Sequence, residues 1–461
     1  MIAEGRRGHS ALCLCRTFVL PFEGPRQEVE CRVSPVLRTV VLASWLFAFG
    51  VVSAADERSK TGPSDAPLAA RIDAALARAA GFLVARQDND GAWRSTVYGA
   101  CKDGPSLTPH VISCLYFLPQ GGPQARAAFE KGTEYLVGLV GPDGRVGDDL
   151  ELIYPVYTAA EASRMIRKAV DSPRYRRAAA AWLAVLRRHQ LNESLGWRES
   201  DLEYGGWSFA PRPPRKPAAG RERGAWDWSN LSATLYGLAA MRSERVPASD
   251  PSYRQILLFV QRCQNYSEDP AKGDPRFDDG GFFFSPADVL LNKAGVAGRD
   301  ALGRQRYRSY GSMTADGLRA MLTCGLPPAH PRVRAARAWL EKNLDLTRNP
   351  GVFERQNESL RDAVYYYYCW GLAHAMLHLR VRTVETPRGP VDWPVELTRI
   401  MLDKQRPNGS WVNAWTEGRE DDPLVATSFA ASVLAIGRHV LSGGQTPAAC
   451  PTPAQGATPT K

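Results

Sequence analysis

Residues 82–93 read FLVARQDNDGAW, and they close an apolar segment, AALARAAGFLVARQ at 74–87, whose large residues fall at helical spacing. Asp-Asn-Asp-Gly then stops the helix, and Trp93 supplies a ring big enough to plug the turn. A second segment follows, TPHVISCLYFL at 108–118, apolar on most faces and therefore suited to a buried layer. This helix, glycine turn and buried helix form one hairpin, and its recurrence decides the fold.

The first helix recurs at 127–140, 175–190, 253–264, 333–344 and 395–405, and its buried partner at 154–166, 228–241, 310–322, 362–377 and 422–436. Six hairpins make twelve helices and an all-α chain. We expect an α/α toroid over 71–441, six inner helices within six outer ones, because a closed ring leaves no terminal repeat uncapped. An open helical solenoid is the alternative.

Two turns share one pattern, GGWSFAP at 205–211 and GGFFFSP at 280–286, and each is followed by an insertion, at 211–225 and 287–308. Both insertions should emerge at the end of the ring where the inner helices begin, a place for loops that gate a site. Aromatic residues crowd the same end. Tyr154, Tyr157, Trp228, Tyr310, Tyr365 and Tyr366 stand at inner-helix starts, with Trp207, Phe282 and Phe284 on the turns, and are candidates to line a central cavity. Of the four consecutive tyrosines 365–368, no more than two can face one cavity. His110 reads as a satisfied polar group at the end of the ring.

The chain of 461 residues is 44% hydrophobic and 23% charged, an ordinary globular composition. Its net charge of +10 is scattered along helices rather than interleaved with aromatics, so no nucleic-acid partner is expected. Arg38 precedes the apolar run TVVLASWLFAFGVV at 39–52, and small residues follow up to Asp56. Residues 36–55 therefore read as a secretory signal, which makes the protein exported; an uncleaved membrane anchor is the alternative. Residues 1–35 suit a start placed too early, 56–70 a linker, and the Pro/Thr-rich 442–461 a disordered tail.

The spacing of Gln87, Gly91 and Trp93 is repeated by Gln405, Gly409 and Trp411. It resembles the QW repeat of squalene-hopene cyclases and of the wider prenyltransferase and squalene oxidase repeat family. That resemblance implies the toroid, with the glutamine amide tying one hairpin to the next, and an apolar or isoprenoid-like ligand. It also implies an acid from a DxDD motif at the start of an inner helix. Here that stretch is Arg419, Glu420, Asp421, Asp422, followed by Pro423. A guanidinium beside a carboxyl favours the ionised form, whereas protonating an alkene needs a neutral acid. Asp421 and Asp422 are the candidate catalytic pair, with a helix cap the alternative role of Asp422. Prenyltransferases of this fold hold zinc, but Cys369 and His374 are five positions apart and do not share a helical face, so neither metal nor cofactor is expected.

The expected function is an exported cyclase-like toroid that binds an apolar or extended ligand without cyclase chemistry, or that serves a protein partner. Two alternatives stand beside it: an isoprenoid cyclase or transferase using Asp421, and a polysaccharide-active enzyme binding a glycan. Peripheral membrane contact stays open.

Overall fold

The computed structural model describes residues 67–147, 152–218, 224, 226–269, 271, 273–288 and 290–444. The signal-like segment, everything upstream of it, most of the linker and the tail from 445 lie outside the described residues. Thirteen α-helices are present among the described residues: α1 Leu68–Val84, α2 Thr108–Tyr116, α3 Gly122–Gly138, α4 Pro155–Ala169, α5 Pro173–Arg188, α6 Leu231–Ser243, α7 Pro251–Arg262, α8 Gly311–Thr323, α9 Pro331–Asn343, α10 Glu358–Asp362, α11 Tyr365–Leu379, α12 Trp393–Lys404 and α13 Pro423–Leu441. Two antiparallel hairpins accompany them, β1 Val296–Arg299 with β2 Gln305–Tyr307, and β3 Thr383–Thr386 with β4 Gly389–Asp392.

The sequence pattern anticipated neither α10 nor the hairpins. At five residues α10 is too short to carry an apolar stripe, and strands of three or four residues give a period-two signal no chance to register. β1 and β2 form the second insertion, and β3 and β4 join α11 to α12.

Burial sorts the long helices into two sets. α6 is buried without a break from Leu231 to Leu238, and α8 from Gly311 to Met321. By contrast α5 buries a single stripe containing Ala178, Trp182 and Val185, as does α7 with Ile256, Phe259 and Val260. The fully packed set is α2, α4, α6, α8, α11 and α13. Each of these packs against the next, and α13 packs against α2, so the succession of contacts returns to its start. Side-chain caps fix the starts of α6 and α13. Asn230 Oδ1 accepts from the Ala233 N–H at 2.9 Å, and Asp422 Oδ1 from the Leu424 N–H at 2.8 Å.

A glutamine clasp occurs at four turns, bridging two carbonyls at three of them. Gln87 Nε2 donates to the Gly91 carbonyl and to the Ala128 carbonyl on α3, both at 2.9 Å. Gln264 Nε2 donates to Gly280 (3.0 Å) and to Arg332 on α9 (2.9 Å), and Gln405 Nε2 to Gly409 (3.0 Å) and to Ala75 on α1 (2.9 Å). Gln190 Nε2 reaches Gly205 at 3.2 Å. Two residues after each glycine stands Trp93, Trp207, Phe282 or Trp411. Its N–H donates to a threonine Oγ1 on the following inner helix: Thr108, Thr234, Thr314 or Thr427, at 2.9 to 3.1 Å. The three indoles also donate back to the preceding outer helix, at Leu83, Leu186 and Met401.

Glycine is required at these turns for two reasons. Gly91, Gly205, Gly280 and Gly409 have φ of 97°, 90°, 83° and 87°. In addition, a Cβ at Gly91 or Gly280 would lie 2.7 Å from the carbonyl oxygen of Lys131 or Ala335 on the next outer helix, and at Gly205 and Gly409 closer still to Gln255 and Arg78. Arg78 belongs to α1, so the last clasp joins the final hairpin to the first. Arg438 on α13 adds an ion pair to Asp73 on α1, at 3.1 Å.

Gly409→Ala should therefore cost more than backbone strain alone. Gly144, at φ 76° with open space around it, isolates the strain, worth about 1–2 kcal/mol. Urea unfolding should show Gly409→Ala losing at least about 2 kcal/mol beyond Gly144→Ala, a loss of the size produced by overpacking. Equal losses would mean that the α12–α1 clasp contributes nothing.

Candidate functional site

The two carboxyls expected to be catalytic sit at the start of α13 and are already engaged. Asp422 caps α13 and accepts from Ser95 Oγ, while Asp421 accepts from the Tyr98 hydroxyl. The Arg419 guanidinium lies over the rings of Tyr98 (4.8 Å) and Tyr154 (5.2 Å). Glu420, which drew no attention in the sequence, is fully buried. It accepts the N–H groups of Tyr366 (2.9 Å) and Tyr367 (2.7 Å) and the Asn413 amide (3.0 Å), serving as a cap for α11 from a distant loop. Burial pushes its carboxyl up to about 7, against the pull of these donors.

A second group of ionisable and aromatic side chains lies inside the cycle of inner helices. On α11, before its last turn, the residues that keep partial exposure are Tyr367, Trp370 and His374, spaced by three and four, which puts them on one face. Facing them are Ser232 and Tyr236 on α6, Asp316 and Arg319 on α8, Phe429 on α13, and Tyr157, Glu161 and Arg164 on α4. Trp370 lies 5.6 Å from Phe429 and 6.0 Å from Tyr236. The Arg319 guanidinium stacks 4.5 Å over the Trp370 ring.

Asp316 is completely buried. It accepts from the Tyr367 hydroxyl, and Arg319 Nη1 lies 3.3 Å from its other oxygen. Burial dominates, and the carboxyl is pushed up to about 6 although Arg319 and Tyr367 both favour the ionised form. From Asp316 a chain of hydroxyls leads outward: Tyr367 to Ser232 Oγ at 2.8 Å, then Ser232 to Tyr157 at 3.1 Å. A second buried carboxyl, Glu161, pairs with His110 Nδ1 at 3.5 Å. The His110 ring stands 4.5 Å from Phe429. Burial opposes the charge on His110, yet Glu161 raises its pKa overall.

The expected cavity-lining residues divide. Tyr157 belongs to the interior and, with Tyr154 and Phe284, to an aromatic cluster completed by Phe209 and Trp226; Tyr157 stacks on Phe209 at 5.9 Å and Tyr154 on Trp226 at 5.8 Å. Trp228 is half-buried on the approach to α6. Trp207, Phe282 and Tyr310 expose no surface and so line nothing; Trp207 is wedged between α5 and α6, its ring against Gly237. Tyr365 and Tyr366 turn away into the packing, with the Tyr365 hydroxyl on the Leu346 carbonyl at 2.8 Å. Of the four tyrosines it is Tyr367 that faces inward. His110, expected to be a satisfied polar group, is one, and its partner is the interior Glu161.

The residues missed had a signal. Glu161 with Arg164, and Asp316 with Arg319, are acid and arginine three positions apart inside helices that are otherwise apolar on most faces. A charge on such a helix has nowhere to point except a polar interior.

No family model matches the chain, and no curated protein matches it. Among solved structures it is similar to a variant of MstE, a type II terpene cyclase from Scytonema, in complex with its substrate geranylgeranyl dihydroxybenzoate: 15% identity, 81% of this chain and 98% of that one, TM-score 0.47. It is also similar to a protein from Actinoplanes at 16% identity, covering 80% and 99%, TM-score 0.45. A wild-type glycosidase follows at 12% identity, covering 82% and 98%, TM-score 0.41. With TM-scores below 0.5, these likenesses carry no weight in assigning a function.

Glu420 makes stability depend on pH in a definite direction. Its folded pKa is raised, so the stability it contributes is complete below its unfolded value near 4.5 and is lost as pH rises through about 7. Relative to Glu420→Gln, the wild-type unfolding free energy measured in urea should fall across that window, by up to about 3 kcal/mol. Parallel pH profiles for the two proteins would contradict this.

Proposed function

We propose that residues 71–441 form a closed α/α toroid of terpenoid-cyclase-like architecture whose interior takes up an extended, largely apolar molecule of isoprenoid type and protonates it from Asp316. The observation that carries this reading is the environment of Asp316, a buried carboxyl among aromatic faces whose pKa burial pushes up to about 6. An acid that protonates a carbon–carbon double bond must hold its proton until the substrate is in place, and burial does that here.

The roles follow from position. Asp316 exposes no surface, so the ligand must part it from Arg319, 3.3 Å away, before it gives its proton to one alkene carbon; the positive charge left on the other is met by the faces of Trp370, Tyr236 and Phe429. The carboxylate that remains is stabilised by Arg319 and the Tyr367 hydroxyl. Its proton is restored through Tyr367, Ser232 and Tyr157, which connect the acid with the half-buried aromatic cluster. Asp421 has no part in this chemistry; with Tyr98 and Arg419 it holds the loop before α13.

Export belongs to the same proposal, supported by Arg38, the apolar run at 39–52 and the small residues before Asp56. Fractionation of cells making the full chain should find a shortened form outside the cytoplasm. A full-length form retained in the membrane would favour the anchor.

The test of the chemistry is incubation of the mature chain with squalene between pH 5 and 8 and analysis of cyclised products by mass spectrometry. Asp316→Asn should lower turnover at least about 100-fold, whereas Asp421→Asn should leave it within a few-fold. The wild-type rate should decline above about pH 6 as Asp316 ionises. Loss in Asp421→Asn with retention in Asp316→Asn would return the acid to the α13 loop.

One observation favours a second reading. The interior holds two buried carboxyls, Asp316 bonded to Arg319 under which the Trp370 ring lies and Glu161 paired with His110, and a carboxyl pair with an aromatic face suits a glycan. Release of reducing ends from oligosaccharides, abolished by both Asp316→Asn and Glu161→Gln, would support it over the isoprenoid.

A further inference from the structure

We infer that the interior contains an anion subsite, formed by Arg164 on α4 and Arg319 on α8 with His374 on α11 beside them, which takes the oxyanion head of an organic ligand such as a carboxylate or phosphate. The inference rests on the interior being the ligand site and adds to it the charge of the ligand.

Three observations lead to it. Arg164 lies one helical turn beyond Glu161, and its guanidinium has neither a hydrogen-bond acceptor nor an ion-pair partner within 4.0 Å among the described residues. Glu161, the nearest candidate, is engaged with His110. Arg319 gives one nitrogen to Asp316, but its Nε is buried without any partner. A buried N–H donor left unused is costly, which is the case of Arg319 Nε, while Arg164 keeps partial exposure and so has its donors available to a ligand.

The positive groups also crowd one another. Burial lowers the pKa of Arg164; Glu161 and Tyr236 oppose this, and Arg319 adds to it. His374 is held well below its usual range by burial, then by Arg319, His378 and Arg164. Two arginines within range of each other in a low-dielectric interior repel strongly. The protein side offsets this only in part, because Asp316, half ionised near pH 6, sits against Arg319 alone and Glu161 is engaged with His110. An oxyanion would accept from the free donors and relieve the repulsion in one contact. The walls around it are aromatic: Tyr236, Trp370 and Phe429. The ligand that fits is therefore an apolar or ring-bearing body with a negatively charged oxygen group at one end.

Two fluorescent probes with the same rings separate the charge from the cavity. Anilinonaphthalene sulfonate carries an oxyanion, and phenylnaphthylamine does not. The mature chain should bind the sulfonate about ten-fold more tightly than the neutral probe. Arg164→Gln should erase that preference, and it removes no hydrogen bond from the fold, so thermal unfolding followed by circular dichroism should stay close to wild type. Arg164→Lys should keep part of the preference, Arg319→Gln should lower it, and Arg126→Gln, on the exposed face of α3, should leave it unchanged. Equal affinity for the two probes, or a preference that survives Arg164→Gln and Arg319→Gln, would overturn the anion subsite while leaving the interior as a ligand site. Binding of neither probe would remove the interior site and the subsite with it.

Discussion

The constraint on which the structure depends is the contact between a left-handed glycine and the backbone of the next outer helix. At Gly91, Gly205, Gly280 and Gly409 the chain comes so close to its neighbour that no side chain fits, and at all but Gly205 a glutamine amide fastens the gap by bridging two carbonyls. The geometry is local, since each clasp joins one hairpin to the next. Its consequence is global, because the clasp at Gly409 is made to α1. A succession of hairpins that ends by binding its own beginning has its inner helices held on every side.

That enclosure explains the chemistry of the interior. A helix packed on all faces against other helices cannot turn a charge toward bulk water, so the charges on α4 and α8 point inward and must find partners there. Some do: Glu161 has His110, and Asp316 has Tyr367 and Arg319. Others do not, and Arg164 is the clearest case. The same burial that sets the carboxyl of Asp316 near 6 leaves arginine donors unmet. Neutral acid and surplus positive charge are thus two results of one packing arrangement. The α13 loop, where the carboxyl cluster stands in sequence, is occupied with structural work. Glu420 caps α11, Asp422 caps α13, and Asp421 holds Tyr98.

Much of the fold was legible because its signals are local. Helix period, glycine stops and the sixfold recurrence need only a dozen residues each to be read. The clasps at Gln87 and Gln405 were legible for the same reason, with glycine four positions on. Those at Gln190 and Gln264 were not, since inserted loops set them 15 and 16 positions from their glycines, although the contact made is the same. The two glycine-aromatic heptapeptides stood out, yet their rings Trp207 and Phe282 are wedges between helices rather than a lining. The tyrosine run shows the limit most plainly. Composition says that one or two of four can face inward, and only the rotation of α11, set by Glu420 and by packing against α8 and α13, selects Tyr367.

By itself, then, the sequence determined the helical hairpins, their order, and the buried character of alternate helices, because backbone propensity, capping and amphipathic period act over a few residues. Tertiary structure alone decided that the last hairpin binds the first, which face of each inner helix meets the interior, and that Asp316 is fully buried while Asp421 keeps partial exposure. Those outcomes depend on the distances between side chains hundreds of positions apart and on the water removed from between them, and neither quantity exists until the chain has folded.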